Sequence, residues 1–383
     1  MLELRKFVAP EFVFGAGALE LTGRYARNFG GKRVMVVADQ GVIAVGCCAK
    51  VIANLEEEGL DCRLFSAISQ NPRSEEVMVG AEFYADNHCD VIVAVGGGSV
   101  MDCAKGIGIV STNRSNIIQF EGIDKVPIPG PPLICIPTTA GTSADVSQFA
   151  IISDRQRSCK IAIISKTMVP DVALIDPAAT LTMDPYLTAC TGMDALVHAI
   201  EAYVSTANSP LLDLHALEAI RLISAYLPAV MERPDDLEMR GWVMLGSLEA
   251  GLAFSNASLG AVHAMAHSLG GLLDLAHGEC NAILLGPVIA YNFPEASVRY
   301  HKIGEALGLT LHNCSAGEAE ATVLRRIMSL KELVGIHSTL GERGVTAADL
   351  PELARNALKD PCMVTNPRMP NIRDIEAIYE EAL

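Results

Sequence analysis

The distribution of apolar segments changes near residue 182. Before that point, short apolar runs alternate with segments of helical periodicity, and the run 91–95 is apolar at every position, as expected for a strand covered on both faces. The predicted elements are strand 34–38, helix 42–58, strand 63–67, helix 74–88 with Ser74 as its N-cap, strand 91–95, strand 133–136, and an antiparallel hairpin of strands 149–152 and 160–164. This alternation predicts an α/β domain with a parallel sheet over residues 1–182.

Strand-like runs almost vanish after residue 183. Helical periodicity, interrupted by Gly or Pro, takes their place through most of the remaining chain. The predicted helices span 184–205, 210–230, 236–252, 259–270, 281–291, 295–306, 317–334 and 346–357. We therefore expect an all-α domain over residues 183–383.

The composition favours a small-molecule ligand. A net charge of −16 opposes binding to nucleic acid or to an anionic membrane surface, because both attract Lys and Arg. The eleven cysteines include no Cys-x-x-Cys pair, and the first residues lack an apolar core of signal-peptide length, so we expect reduced thiols and a cytoplasmic protein. The uncharged stretch 250–273 contains glycines, serines and histidines, which predicts buried helices rather than a membrane span.

Two short apolar segments concentrate groups that bind metals. Asp194 and His198 are spaced i, i+4, so a helix places both side chains on one face. His263 and His267 repeat this spacing, and His277 follows a glycine pair. A single histidine on an apolar helix is usually a hydrogen-bonded core residue. Four of the nine histidines in two such segments instead predict one cation that satisfies them together.

A glycine-rich segment follows the strand 91–95 and opens a helix. Backbone amides of residues 96–99 can approach a pyrophosphate, and the helix N-terminus adds partial positive charge. The segment is not G-x-G-x-x-G, because Asp102 replaces the last glycine, so a tight turn is the alternative. Asp39 and the hydroxyl-rich loop 137–143 also follow predicted strands. Each alone is consistent with a plain turn, but together they favour a dinucleotide site at one sheet edge.

With these motifs, the chain resembles the iron-dependent (group III) alcohol dehydrogenases, the family of lactaldehyde reductase and of several ethanol and butanol dehydrogenases. The resemblance covers essentially the whole chain. Its motifs are Asn71-Pro72, Gly96-Gly-Gly-Ser99, Pro137-Thr-Thr-Ala-Gly-Thr-Ser143, Thr191-Gly-Met-Asp-Ala-Leu-Val-His-Ala-Ile-Glu201, Asn256-Ala-Ser-Leu-Gly-Ala-Val-His-Ala-Met-Ala-His267 and His277-Gly-Glu-Cys-Asn281. The chain departs from the pattern at Val100, where many relatives have proline, and at Glu279-Cys280, where the lactaldehyde reductase subtype differs.

The resemblance implies a dehydroquinate synthase-like architecture and assigns roles to single positions. His267 matches a histidine close to the reacting groups, whereas Glu201 lies near the metal without matching a ligand. The positions that match ligands of Fe(II), and sometimes of zinc or another divalent metal, are Asp194, His198, His263 and His277. The positions that match contacts to NAD are Asp39, Asn71, Gly97, Gly98, Ser99, Asp102, Thr138, Thr139, Thr142 and Lys160.

We therefore expect a metal-dependent enzyme that transfers hydride between a small primary alcohol or aldehyde and NAD, in a dry cleft between the two domains. A divalent metal with open coordination positions would polarise the alcohol. His267 is the candidate for relaying the alcohol proton, with orientation of water or of a ligand as its alternative role. The family also implies a homodimer or a larger homo-oligomer.

Three alternative functions stay open on the same sequence. Glycerol dehydrogenases and dehydroquinate synthases share the architecture, and a synthase leaves NAD unchanged overall. Synthase substrates are multiply anionic and require a basic cleft, which the helical half does not obviously supply. The third alternative is a non-catalytic regulator that binds NAD and metal, which the intact set of ligand positions disfavours. Net NADH formation with a simple alcohol separates these functions.

Overall fold

The computed structural model describes residues 6–383, which form two compact units. One unit is Val8–Met183. The other is Asp184–Leu383 together with Lys6 and Phe7. The first is an α/β unit and the second is helical, which confirms the predicted fold class.

Two sheets form the α/β unit. The larger sheet has six parallel strands in the order β1-β9-β6-β4-β2-β3, and the smaller has the order β5-β8-β7, with β7 and β8 antiparallel as predicted. The strands are β1 (Glu11–Phe14), β2 (Arg33–Val37), β3 (Asp61–Phe65), β4 (Val91–Gly96), β5 (Gly122–Ile123), β6 (Leu133–Pro137), β7 (Phe149–Asp154), β8 (Cys159–Ile164) and β9 (Val172–Ile175).

The centre of the large sheet is apolar on both faces. In β4, Ile92 and Ala94 belong to one hydrophobic core, whereas Val91, Val93 and Val95 belong to a second core on the opposite face. Successive side chains of a strand point to opposite faces, so a strand buried between two helical layers must be apolar throughout. This explains why β4 was predictable from its sequence.

Five helices belong to the α/β unit, and two details of their prediction were wrong. Residues 42–58 do not form one helix, because Gly46 adopts φ 82° and separates two helices. Ser74 is the first helical residue rather than the N-cap, which is Arg73, and the Glu76 carboxylate accepts from the Arg73 backbone N–H at 2.9 Å. The helices are α1 (Thr22–Asn28), α2 (Gln40–Ala44), α3 (Cys47–Glu57), α4 (Ser74–Asp86) and α5 (Gly98–Asn113).

The helical unit begins at Asp184, whose side chain accepts from the Leu187 backbone N–H and caps the first helix. Ser209 and Asp236 cap the next two helices in the same way, and these three helices pack against one another. The helices are α6 (Pro185–Val204), α7 (Pro210–Glu232), α8 (Leu237–Ala257), α9 (Ala261–Leu273), α10 (His277–Ala306), α11 (Ala316–Leu333), α12 (Leu350–Ala357) and α13 (Ile372–Ala382).

The predicted helices 281–291 and 295–306 are parts of α10, which kinks at Ala296, where φ is −125°. The predicted helix 346–357 begins only at Leu350. Within residues 6–383, one helix, α7, is long and apolar enough to cross a membrane by length and composition. This is weak evidence for a span, because buried helices of globular cores meet the same criteria, and α7 packs against α6 and α8.

Candidate metal centre and nucleotide site

Three of the four predicted ligands converge inside the helical unit. Asp194 lies in α6, His263 in α9, and His277 is the first residue of α10. Their ligand atoms all lie within 4.8 Å of one another. The Asp194 Oδ1 atom is 3.7 Å from His263 Nε2 and 3.8 Å from His277 Nε2. Two ligands of one tetrahedral metal lie about 3.4 Å apart at ordinary bond lengths, so this spacing fits a metal ion.

His198 lies beside this group on the same helix as Asp194. Its ring stacks between Phe254 and His263, with ring centroids 4.3 Å from each. The His198 Nδ1 atom is 4.0 Å from Asp194 Oδ2. The structure therefore places His198 next to the other three residues, and its role as the fourth ligand stays a prediction.

The electrostatics of the group favour a cation. Asp194 is 1% exposed, and burial alone would raise the pKa of its carboxyl group, but the imidazoles of His198, His263 and His277 hold that pKa well below its usual range. One carboxylate and three imidazoles without a thiolate suit Fe(II) or zinc. The donor set and its spacing thus fit the predicted divalent metal.

Glu201 holds the outer side of His263. Its carboxylate accepts from His263 Nδ1 at 2.6 Å and from the Val262 backbone N–H at 2.7 Å. Burial would lower the pKa of His263, but the neighbouring carboxylates of Asp194 and Glu201 raise it. A Cβ at Gly260 would lie 2.9 Å from Glu201 Oε1, so a side chain there would displace this carboxylate. A carboxylate on the outer nitrogen of a ligand histidine fixes its ring and raises its basicity.

Sequence reasoning placed Glu201 near the metal but gave it no role. A signal was available, because Asp194, His198 and Glu201 follow the spacing i, i+4, i+7 that places three residues on one helix face.

His267 belongs to a second buried group next to the first. Its ring stacks on that of His277, with centroids 5.2 Å apart, and its Nδ1 lies 2.9 Å from Asp360 Oδ2. Burial would raise the pKa of Asp360, but His267 and the Cys362 backbone N–H lower it. Asp360 was not predicted. It precedes the 3-10 helix Pro361–Thr365, and 93 residues separate it from His267, so no local spacing pattern could have connected the two.

Cys362 also lies within reach of His267 and Asp360, and the three could form a metal-binding group by distance. Burial and the adjacent Asp360 carboxylate raise the pKa of the Cys362 thiol well above its ordinary value. A thiol must lose its proton to bind a metal, so the group of Asp194, His263 and His277 is the better metal centre.

The predicted nucleotide residues gather at the carboxyl edge of the α/β sheet. Strands β4 and β6 are neighbours, with Gly96 opposite Pro137, so the loops that follow them meet. A Cβ at Gly97 would lie 3.2 Å from Thr139 Cγ2, and one at Gly98 would lie 2.8 Å from the Thr142 side chain. The glycines therefore let the two loops pack together, which brings residues 97–99 next to Thr138, Thr139 and Thr142.

Asp39, Ser99 and Asn71 lie on neighbouring loops. Asp39 follows β2, is the N-cap of α2, and its carboxylate accepts from the Val42 backbone N–H at 2.9 Å. The Ser99 hydroxyl donates to the Gln70 carbonyl, next to Asn71, which is buried.

Asp102 has a partner inside the protein. Its carboxylate accepts from the Ile151 backbone N–H at 3.1 Å and so attaches α5 to the β7–β8 hairpin, which carries Lys160. Burial raises the pKa of Asp102 to about 6, against the lowering effects of Lys105, the Ile151 N–H and Lys160. This is a structural role for Asp102, and its contact with NAD stays a prediction.

Comparison with known proteins identifies the family. Residues 9–177 match the family described as iron-containing alcohol dehydrogenase, and residues 188–383 match the C-terminal part of the Fe-containing alcohol dehydrogenase family. The chain therefore belongs to the iron-containing alcohol dehydrogenases. The motif-based resemblance and the predicted enzyme class, an oxidoreductase that acts on alcohols, are confirmed.

Individual relatives are similar over almost their full lengths. The chain is 41% identical to alcohol dehydrogenase 4 of Schizosaccharomyces pombe, over 98% of this chain and 89% of that protein. It is 35% identical to NAD-dependent methanol dehydrogenase of Bacillus methanolicus, over 98% of this chain and 99% of that protein. A crystal structure of 1,3-propanediol oxidoreductase superposes with a TM-score of 0.96 at 37% identity and covers 100% of both chains.

Replacing Glu201 with Gln should weaken Zn²⁺ binding about 10- to 100-fold, because a neutral amide holds the His263 N–H less strongly and makes the ring less basic. The Kd is measured by competition with a chelator. Glu249→Gln is the matched control, because Glu249 Oε2 lies 2.5 Å from His215 Nδ1 in a pair that contains no predicted ligand. Equal Kd values in wild type and Glu201→Gln would contradict the role assigned to Glu201.

Proposed function

We propose that this protein interconverts small primary alcohols and aldehydes by transferring hydride between the alcohol carbon and NAD. The observation that carries the proposal is the convergence of Asp194, His263 and His277 from three helices, within 4.8 Å of one another. Substrate size is supported by the relatives, which are named for methanol and for 1,3-propanediol.

A divalent ion bound by Asp194, His198, His263 and His277 would supply a Lewis acid that makes an alcohol hydroxyl group more acidic. The protein's own task is to hold the reacting groups and to exclude water. Asp194 and His263 are each 1% exposed, so the charge of the site acts in a medium of low polarity. The hydrogen bond from His263 Nδ1 to Glu201 keeps the His263 ring in a fixed orientation.

His267 is our candidate for the group that accepts the alcohol proton. Its Nδ1 faces the Asp360 carboxylate, which fixes Nδ1–H as the donor and leaves Nε2 to exchange the proton. An acidic partner on the outer nitrogen also stabilises the imidazole when it is protonated. Asp360 acts through His267 and is therefore a positioning residue.

The α/β unit supplies the nucleotide site in this proposal. The pyrophosphate would lie against the backbone amides of Gly97, Gly98 and Ser99 at the start of α5, where the helix N-terminus favours an anion. The Asp39 carboxylate uses one oxygen to cap α2, and the other can accept from ribose hydroxyls. Hydride transfer requires the nicotinamide ring to contact the alcohol carbon, so the proposed reaction needs both the nucleotide and the metal.

We also propose a cytoplasmic homo-oligomer, a dimer or larger. The eleven cysteines are all free, which supports a reducing compartment. The edge strand β1 exposes Phe12 and Phe14, by 40% and 37%, which supports self-association along that edge.

Protein stripped of metal should form no NADH from methanol, ethanol or 1,3-propanediol, and Fe(II) or Zn²⁺ should restore net NADH formation.

His277→Ala should reduce kcat at least about 100-fold, because an open metal site loses a ligand. His301→Ala is the control, since His301 lies on the same helix and its Nδ1 bonds only within α10, to the Ser297 carbonyl. Activity in metal-free protein, or NAD turnover without net NADH, would overturn the proposed reaction.

Asp39→Gly should shift the kcat/KM ratio of NAD to NADP towards NADP by at least about tenfold, because the carboxylate repels a 2′-phosphate. Asp39→Asn retains an oxygen that can cap α2 and removes the charge, so it separates the electrostatic effect from loss of the cap. A wild-type preference for NADP, or an unchanged ratio in both variants, would show that Asp39 does not face the ribose.

Asp360→Asn should lower kcat about 10- to 100-fold with little change in metal content or in KM for the alcohol, because the residue acts through His267. Combining it with His267→Ala should add almost nothing to the loss caused by His267→Ala alone, since residues that act as a unit are not additive. Fully additive losses of kcat would show that Asp360 does not act through His267.

A further inference from the structure

Asn281 lies among the predicted metal ligands. It is 0% exposed and follows His277 by one turn of α10. Its Nδ2 atom is 2.6 Å from Asp194 Oδ1, 3.1 Å from His263 Nε2 and 3.1 Å from His277 Nε2. One amide thus contacts a ligand atom on each of three helices.

The contact with Asp194 determines which way the amide points. A carboxylate oxygen only accepts hydrogen bonds, so the amide atom 2.6 Å from Asp194 Oδ1 must be the nitrogen. The opposite end, Asn281 Oδ1, is buried without a hydrogen-bond partner among the described residues. Because a buried acceptor without a partner is costly, contacts of the nitrogen with the three ligand residues must stabilise this orientation.

The amide nitrogen carries two hydrogens, which the three ligand atoms share, and a metal ion needs the same lone pairs. An imidazole binds a metal through a nitrogen that carries no proton, and in His263 this is Nε2, because Nδ1 donates to Glu201. An Nε2 lone pair that receives an Asn281 N–H is not available to a metal. The amide hydrogens also lie between acceptor atoms that would otherwise repel one another, and Asp194 Oδ1 is 3.7 Å and 3.8 Å from the two imidazole nitrogens.

We propose that Asn281 holds Asp194, His263 and His277 at metal-binding spacing in the metal-free protein and releases their lone pairs when the ion binds. This rests on the metal site of the proposed function. Asn281 is then a positioning residue that stabilises the protein mainly before the metal arrives. Removing it should destabilise the metal-free form more than the metal-bound form, and by linkage the metal should bind more tightly to the variant.

The test compares thermal unfolding and Zn²⁺ affinity in wild type and Asn281→Ala. The variant should have a lower Tm than wild type after treatment with a chelator and nearly the same Tm with saturating Zn²⁺. Its Kd for Zn²⁺, measured by chelator competition, should fall roughly tenfold, as expected when one or two buried hydrogen bonds are lost from the metal-free form alone. Asn281→Leu repeats the comparison without space for a replacement water.

Asn292→Ala is the matched control. Asn292 is a buried asparagine of the same helix, and its Nδ2 donates to Asn366 Oδ1 at 2.9 Å. Its loss should lower both Tm values equally and leave the Kd unchanged.

An unchanged or higher Kd in both Asn281 variants would overturn the proposal, because Asn281 would then stabilise the metal-bound form at least as much. Failure of the proposed metal site is a different result, in which Zn²⁺ does not raise the Tm of the wild-type protein.

Discussion

The buried carboxylate of Asp194 is the constraint on which the helical unit depends. An isolated carboxylate within an apolar helix is costly, and it is tolerated only where positive charge or hydrogen-bond donors surround it. His263 and His277 approach Asp194 from α9 and α10, and Asn281 donates to it. The packing of α6, α9 and α10 therefore depends on neutralising the charge of Asp194. A bound cation would complete that neutralisation.

Two carboxylates outside the predicted ligand set orient the histidines of the site. Glu201 orients His263 from α6, the helix that also carries Asp194. Asp360 orients His267 from the start of a 3-10 helix near the end of the chain. Because each ring has a carboxylate on its Nδ1, its Nε2 is held in place, and binding a ligand there does not require the ring to be ordered anew.

The features that could be predicted from the sequence are those that depend on the spacing of residues within one helix or strand. The i, i+4 pairs placed Asp194 with His198 and His263 with His267, and the fully apolar run 91–95 predicted β4. Strands β1 and β9 were missed, because each has only four residues and those of β1 are mostly exposed. The break at Gly46 was missed because its neighbours continue the apolar periodicity.

The missed contacts at the site all connect distant parts of the chain. Asp360 reaches His267 over 93 residues, and Asn281 reaches Asp194 over 87. Such pairs result from the packing of α6, α9 and α10, which periodicity within one helix does not describe. The motif containing Asn281 was recognised, but its contact with three ligands depends on the meeting of those helices.

The departures from the family pattern have physical explanations that do not involve the substrate. Val100 is fully buried in the core of the α/β unit, and a Cβ at Gly96 would lie 2.5 Å from its Cγ2, so this side chain fills space beneath the glycine loop. Glu279 is 6% exposed, and its Oε1 accepts from Tyr186, Ser338 and Arg343 at 2.5 to 2.6 Å.

Those three donors lower the pKa of Glu279 against the effect of its burial. A carboxylate that is satisfied in this way secures the first turn of α10, two residues after His277, rather than recognising an alcohol. The contacts of Glu279 thus fix the start of α10, the helix that begins at His277.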